Sequence, residues 1–135
     1  MKAILSIFLV FLASANQNFT LTQQVGGNCG ATNIFFIGYF DITPWPPSAG
    51  SIAVLTMIGE FLQGEFVQEA VLGSCINGMV WNYDSIDVNQ SYSAGDIGAF
   101  QYNIIFPTDQ ASYVSNLQLT AGDHICCWQF SFNIA

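Results

Sequence analysis

The last ten residues, 126–135, constrain the fold most, because apolar and polar side chains alternate strictly from Cys126 to Ile134. A β-strand points successive side chains to opposite faces of its sheet, so this pattern predicts a half-buried strand. Cys127 lies on the polar face near the start of this strand, where it can be bridged to another strand without entering the core. The apolar face carries three aromatic rings, a large hydrophobic surface for one strand: Trp128, Phe130 and Phe132.

The N-terminal segment has the features of a secretory signal peptide. Lys2 supplies a short positive region, residues 3–12 form an apolar run, and Ala13-Ser14-Ala15 fits a small-residue cleavage site. We therefore predict that residues 1–15 are a signal peptide and that residues 16–135 form one domain. No other stretch is long and apolar enough to cross a bilayer, so no integral membrane segment is expected in the mature chain. The expected location is secreted or lumenal, meaning extracellular, lysosomal or vacuolar.

The charge balance excludes several kinds of partner. The sequence has one basic residue, Lys2, against nine Asp and Glu, so cleavage leaves no Lys and no Arg. Nucleic acid is excluded, because basic side chains drive its binding. Docking on anionic membranes is disfavoured for the same reason. Hydrophobic residues make up 52% of the chain and charged residues 7%, which excludes disorder and suggests an internal cavity, an oligomer interface, or both.

Glycine and proline divide the mature chain into short segments about ten residues apart, which is typical of a sandwich or barrel. Asn77-Gly78 is the strongest hairpin signal. Residues 57–72 also fit an amphipathic helix, but each of their two glycines destabilises a helix by about 1 kcal/mol relative to alanine. We predict an all-β, immunoglobulin-like sandwich of two antiparallel sheets. The strands predicted before the C-terminal one are residues 34–42, 51–62, 65–72, 79–83, 99–106 and 113–119.

No constellation of residues predicts catalysis or metal binding. His124 is the only histidine, it lies beside Asp123 in a predicted turn, and no serine is an evident nucleophile for it. Cys126 and Cys127 are adjacent and point to opposite faces, so they cannot readily share one metal. The carboxylates are scattered, and there is no Gly-rich loop with a lysine for a nucleotide. We expect no enzymatic activity, no metal and no cofactor.

The cysteines and two sequons fit a secreted protein. Four cysteines suggest disulfides, with three pairings open. Asn18-Phe19-Thr20 and Asn89-Gln90-Ser91 are glycosylation sequons, and each favours an exposed position. Asn18 and Asn89 are therefore the predicted glycosylation sites.

Four motifs follow one another over nearly all of the mature chain. They are Asn-Cys-Gly-Ala at 28–31, Phe-Asp-Ile-Thr-Pro-Trp-Pro at 40–46, Gly-Ser-Cys at 73–75, and Cys-Trp-Gln-Phe-Ser-Phe-Asn-Ile at 127–134. Together with the signal peptide and the length, they resemble the ML domain, a lipid-recognition family, and are similar to the Niemann–Pick type C secreted sterol-transfer proteins. The resemblance implies a sandwich that opens along one edge and holds a single sterol or other neutral lipid between its sheets, for transfer or recognition.

The resemblance also implies a disulfide between Cys29 and Cys127. The family commonly has a second disulfide that begins near Cys75, but the matching downstream position, near Trp81, is not a cysteine. Cys75 and Cys126 are then left over. They can pair with each other, stay reduced in the core, or bridge to another chain, and we expect the first.

The candidate lipid-binding residues are large apolar side chains of the predicted strands. An apolar tail gains about 25 cal/mol per Å² of surface removed from water, which would drive binding. A structural or adhesive extracellular module is the alternative, with self-assembly or a protein partner through its aromatic surface and leftover cysteines. The candidate residues are Phe61, Phe66, Trp81, Phe100, Tyr102, Ile104, Phe106, Trp128, Phe130 and Phe132.

Overall fold

The structure, a computed structural model, describes residues 7–11 and 25–135, and these residues form two antiparallel β-sheets. One sheet has the strand order β1-β7-β4-β3, and the other has the order β2-β9-β8-β5-β6. This architecture confirms the predicted all-β, immunoglobulin-like sandwich, and the helical alternative for residues 57–72 is not adopted. The strands are β1 Ile7–Phe11, β2 Gly27–Asn28, β3 Phe35–Thr43, β4 Ile52–Phe61, β5 Glu65–Ile76, β6 Val80–Tyr92, β7 Ile97–Ile105, β8 Ala111–Ala121 and β9 Asp123–Ile134. Within the described ranges, no helix could span a bilayer.

The predicted alternation of the C-terminal strand holds in β9 from Trp128 to Ile134, whereas Cys127, which was predicted on the polar face, is buried. Trp128, Phe130 and Phe132 are buried between the sheets, whereas Gln129 and Ser131 are exposed. Three other central strands, β4, β7 and β8, also alternate between buried and less buried residues along most of their lengths. The core is therefore the space between the two inner faces, as the period of two requires.

The hairpin predicted at Asn77-Gly78 joins β5 to β6. Both residues have positive φ, 49° and 68°, which a type I′ turn requires and which asparagine and glycine tolerate best. Both strands are longer than predicted, because they pair with each other from Ile76 opposite Val80 to Glu65 opposite Tyr92, with a bulge near Val67. Asn89, the second predicted glycosylation site, lies exposed at this irregularity.

The first strand falls inside the predicted signal peptide. It pairs antiparallel with β7, from Ile7 opposite Tyr102 to Phe11 opposite Gly98, and forms the edge of the four-stranded sheet. The predicted cleavage site at residues 13–15 and the sequon at Asn18 lie outside the described residues. In a chain cleaved after Ala15, β7 would itself be the edge strand.

One side of the sandwich is fastened by directional contacts. The rings of Phe40 in β3 and Trp128 in β9 stack with centroids 5.3 Å apart. The Val25 N–H donates to the Phe40 carbonyl at 3.4 Å, which joins the segment before β2 to the opposite sheet. We call this the fixed side. The disulfide between Cys29 and Cys127 lies near it, but it joins the end of β2 to β9 within one sheet.

Candidate binding site between the sheets

The structure buries most of the predicted lipid-binding residues. Eight of the ten have their side chains in the interior, between the two sheets: Phe61, Phe100, Tyr102, Ile104, Phe106, Trp128, Phe130 and Phe132.

Phe66 and Trp81 do not lie between the sheets, because both side chains are surface-exposed. Phe66 is 48% exposed and Trp81 is 39% exposed. In β5, Glu65 is half-buried and Val67 is fully buried. Phe66 lies between them, so the alternation of the strand points its side chain to the outer face of the sheet. Trp81 is at the start of edge strand β6, where four consecutive residues are exposed and the sequence gives no alternating signal.

Aromatic rings fill the two ends of the interior. At the start of β3, the Phe35 and Phe61 rings lie 4.6 Å apart, and Phe61 stacks on Tyr92 at 4.2 Å. Beyond the end of β3, Trp45 packs edge-on against Phe130 and Phe132. These contacts pack each end closely with aromatic rings.

Between these ends lies a region of aliphatic side chains with one tyrosine, which we call the aliphatic patch. It is built from both sheets, and its two halves face each other without any polar contact between them. No void large enough for a water molecule separates the halves. The residues of the aliphatic patch are Leu55, Tyr102 and Ile104 on one sheet and Ala70, Leu72, Ile86 and Leu117 on the other.

A small cavity adjoins the aliphatic patch. Its volume is about 20 Å³, which is room for about one water molecule, and the hydroxyls of Ser74 and Ser115 line it. These two serines are paired directly across β5 and β8, with their oxygens 2.9 Å apart. Neither the aliphatic patch nor this small cavity has room for a lipid tail. The internal cavity that the composition suggested is therefore closed in this structure.

Sequence reasoning missed most of the aliphatic patch. Leu55, Leu72 and Leu117 lie within predicted strands, at positions that alternate with polar or smaller neighbours, and this alternation could have found them. The prediction favoured aromatic residues instead. Ile86 lies beyond the predicted strand 79–83 and had no such signal.

Tyr102 is the only polar side chain of the aliphatic patch. It is 1% exposed, and its hydroxyl has no hydrogen-bond partner within residues 25–135. Burial raises the pKa of Tyr102, and nearby Tyr92 and Cys126 raise it further. Burial also raises the pKa of the Cys126 thiol to about 12. Both groups are therefore neutral at physiological pH.

The cysteines confirm one predicted disulfide and rule out the other. Cys29 and Cys127 are bridged, with their Cα atoms 4.9 Å apart. The predicted pairing of Cys75 with Cys126 is wrong, and both are buried free thiols. Cys75 lies opposite Val114 of β8 and Cys126 opposite Leu119. Those positions are five residues apart along β8, roughly 16 Å at a rise of 3.3 Å per residue, whereas a disulfide needs Cα atoms within about 7 Å.

His124 and Asp123 are exposed at the start of β9. Throughout residues 25–135, no group of three or more His, Cys, Asp or Glu side chains is arranged to hold a metal ion.

No family model matches the chain, and no curated protein matches it. Among solved structures, the chain is similar to the CARDB domain of the PF1109 protein from Pyrococcus furiosus, determined in complex with di-metal ions. The TM-score is 0.41 at 15% sequence identity, over 73% of this chain and 90% of that chain. A likeness this distant does not bear on the function of this chain.

Proposed function

We propose that this protein is a secreted or lumenal, non-enzymatic lipid-binding protein that holds one sterol or other neutral lipid between its two sheets. The observation that carries the proposal is the aliphatic patch, an interior surface formed by two sheets that no disulfide among the described residues joins. The resemblance to the ML domain and the presence of a disulfide, which persists in oxidising compartments, support it.

The contacts between the sheets differ on the two sides of the sandwich, and a lipid would enter on the side with fewer directional contacts. On the fixed side, Trp128 stacks on Phe40, and Val25 adds a hydrogen bond. On the other side, the middle of β7 faces β5 and β6 through the aliphatic patch, whereas the Phe61–Tyr92 stack holds the sheets together at one end. Aliphatic contacts are non-directional, so separating the sheets at the aliphatic patch exposes apolar surface without breaking directional bonds there. A lipid tail that fills the gap removes that surface from water again, at about 25 cal/mol per Å².

The charge of the chain favours a neutral lipid. No lysine or arginine follows Lys2 in the sequence, so the mouth of such a site has no cationic side chain to pair with a phosphate. All side chains of the aliphatic patch are uncharged. A charged headgroup drawn into this space would lose its hydration without gaining a counter-charge.

Titration with a fluorescent sterol tests the proposal. The wild-type protein is expected to saturate at one sterol per chain. Ile104→Trp, which fills the aliphatic patch, is expected to abolish binding, whereas Asn103→Trp is the matched control. Asn103 is the neighbouring residue in β7 and lies on the opposite face of the sheet. Absence of saturable binding to the wild type, or undiminished binding to a folded Ile104→Trp variant, would contradict the proposal.

A second candidate function is a structural or adhesive module. The tip of the β5–β6 hairpin carries an exposed apolar surface, with Met79 at 79% and Tyr83 at 61% exposure. The rings of Trp81 and Tyr83 stack with centroids 6.0 Å apart. Cys75 and Cys126 no longer support this function, because both are buried. Sedimentation velocity distinguishes the two: concentration-dependent assembly that Trp81→Ser abolishes would favour the module.

A further inference from the structure

Tyr102 places a hydroxyl group deep in an apolar interior. Its side chain is 1% exposed, and the other residues of the aliphatic patch are all aliphatic. The hydroxyl finds no hydrogen-bond partner in the described part of the chain. A buried polar group without a partner destabilises a fold, so such groups are rare in native proteins and each calls for an explanation.

The buried hydroxyls of Ser74, Ser115 and Tyr113 do have partners. The Ser74 and Ser115 hydroxyls bond to each other at 2.9 Å. The Tyr113 hydroxyl donates to the Asp109 carbonyl at 2.9 Å. Oxygens on Asp41 and Asn116 are also unpaired, but both residues are half-buried and lie on the outer faces of their sheets. Tyr102 therefore differs in having its unpaired group inside the candidate site.

A tyrosine hydroxyl can both donate and accept a hydrogen bond. It has no charged side chain beside it in the aliphatic patch, and burial keeps it protonated by raising its pKa. Its best complement is therefore an uncharged hydroxyl or carbonyl group. Because the patch offers one polar group in an aliphatic surround, the complementary ligand has one polar group on an apolar body.

We propose that the Tyr102 hydroxyl is the interior hydrogen-bond partner of the bound lipid and selects lipids with one neutral hydroxyl or carbonyl group. This inference rests on the proposed function. It also defines the orientation of the bound lipid, because the polar end of the lipid must then lie inside the sandwich and not at the opening between the sheets. It also predicts discrimination against pure hydrocarbons, which leave the Tyr102 hydroxyl unpaired in the complex as well.

The test compares cholesterol with its 3-deoxy analogue, cholestene, as competitors against a fluorescent sterol. The wild type is expected to prefer cholesterol by about five- to tenfold, the effect of one net hydrogen bond. Tyr102→Phe keeps the ring and removes the oxygen, so it is expected to bind both sterols equally. Tyr113→Phe is the matched control, because its hydroxyl is already bonded to Asp109. This control is expected to keep the wild-type preference.

The lipid-free proteins supply an independent readout. Tyr102→Phe removes an unpaired hydroxyl and is expected to unfold at the same or a higher urea concentration than the wild type, whereas Tyr113→Phe should unfold at a lower one. If the wild type binds both sterols equally, or if Tyr102→Phe retains the preference, the role of Tyr102 is wrong while lipid binding stands. If the wild type binds neither sterol, the proposed function fails together with this inference.

Discussion

The indole Nε1 of Trp128 donates a 2.6 Å hydrogen bond to the backbone carbonyl of Val25. The N–H of the same Val25 donates to the Phe40 carbonyl on the opposite sheet. Val25 is thus a hydrogen-bonded bridge between β9 and β3. The bridge and the Phe40–Trp128 stack define the fixed side of the sandwich, about which we expect the other side to open.

Trp128→Phe should destabilise the protein by about 1–3 kcal/mol, because the buried Val25 carbonyl loses its side-chain donor. Urea unfolding of the lipid-free protein measures this change. Trp45→Phe is the control, since Trp45 is half-buried and packs edge-on against Phe130. An equal loss in the two variants would show that the hydrogen bond to Val25 adds nothing beyond ring packing.

Removing the disulfide should destabilise the protein more than Trp128→Phe does. Cys29 and Cys127 are 98 residues apart in sequence, and closing a loop of that length is worth roughly 4–5 kcal/mol in the chain-entropy model. Cys29→Ser, at an exposed position, should lower the free energy of unfolding by up to this amount. Peptide mapping without reduction checks the pairing itself. Recovery of Cys29 bonded to Cys75 or Cys126 would refute it.

Stability should fall at alkaline pH. Burial raises the pKa values of Tyr92 and Cys126 to about 12, above the ordinary values of 10.0 and 9.0 expected on unfolding. Below pH 9 both states keep these protons, so this contribution to stability is fully present. Between about pH 9 and 12 the unfolded chain loses protons that the folded chain retains, which favours unfolding.

Urea midpoints measured from pH 7 to pH 11 check this alkaline loss. Cys126→Ala should show a smaller decrease above pH 9 than the wild type, because it removes one of the titrating groups. A midpoint that stays constant up to pH 11 in the wild type would contradict the prediction.

Neutral lipids should bind better than anionic ones. Since the chain has no lysine or arginine after Lys2, an anionic headgroup meets neither of these cations at the protein surface. In competition against a fluorescent sterol, cholesterol should displace the probe at much lower concentration than phosphatidylserine or lipopolysaccharide. Efficient displacement by the anionic lipids at neutral pH and ordinary salt would be incompatible with this account.

The parts of the fold that could be predicted are those with a strong local signal. β9 was found because its alternation is strict, and the hairpin was found because Asn77-Gly78 suits positive φ at both residues. The Cys29–Cys127 bridge came from a resemblance to a family, because spacing alone left three pairings open.

The remaining features depend on which strands become neighbours. The strand β6 runs to Tyr92 because it pairs with β5, although most of its side chains are exposed. Cys75 and Cys126 lie too far apart along β8 to pair, which only the strand order reveals. The aliphatic patch brings together five strands, so Ile86 and Leu72 become neighbours of Tyr102 through tertiary packing.

The central claim is that the protein carries a lipid between its sheets. Organic extraction followed by mass spectrometry, applied to protein purified from its native source, tests this most directly. The account predicts one sterol or other neutral lipid per chain, absent from a sample of Ile104→Trp prepared in the same way. A lipid-free protein, especially one recovered as a large assembly, would contradict the account and favour the structural module.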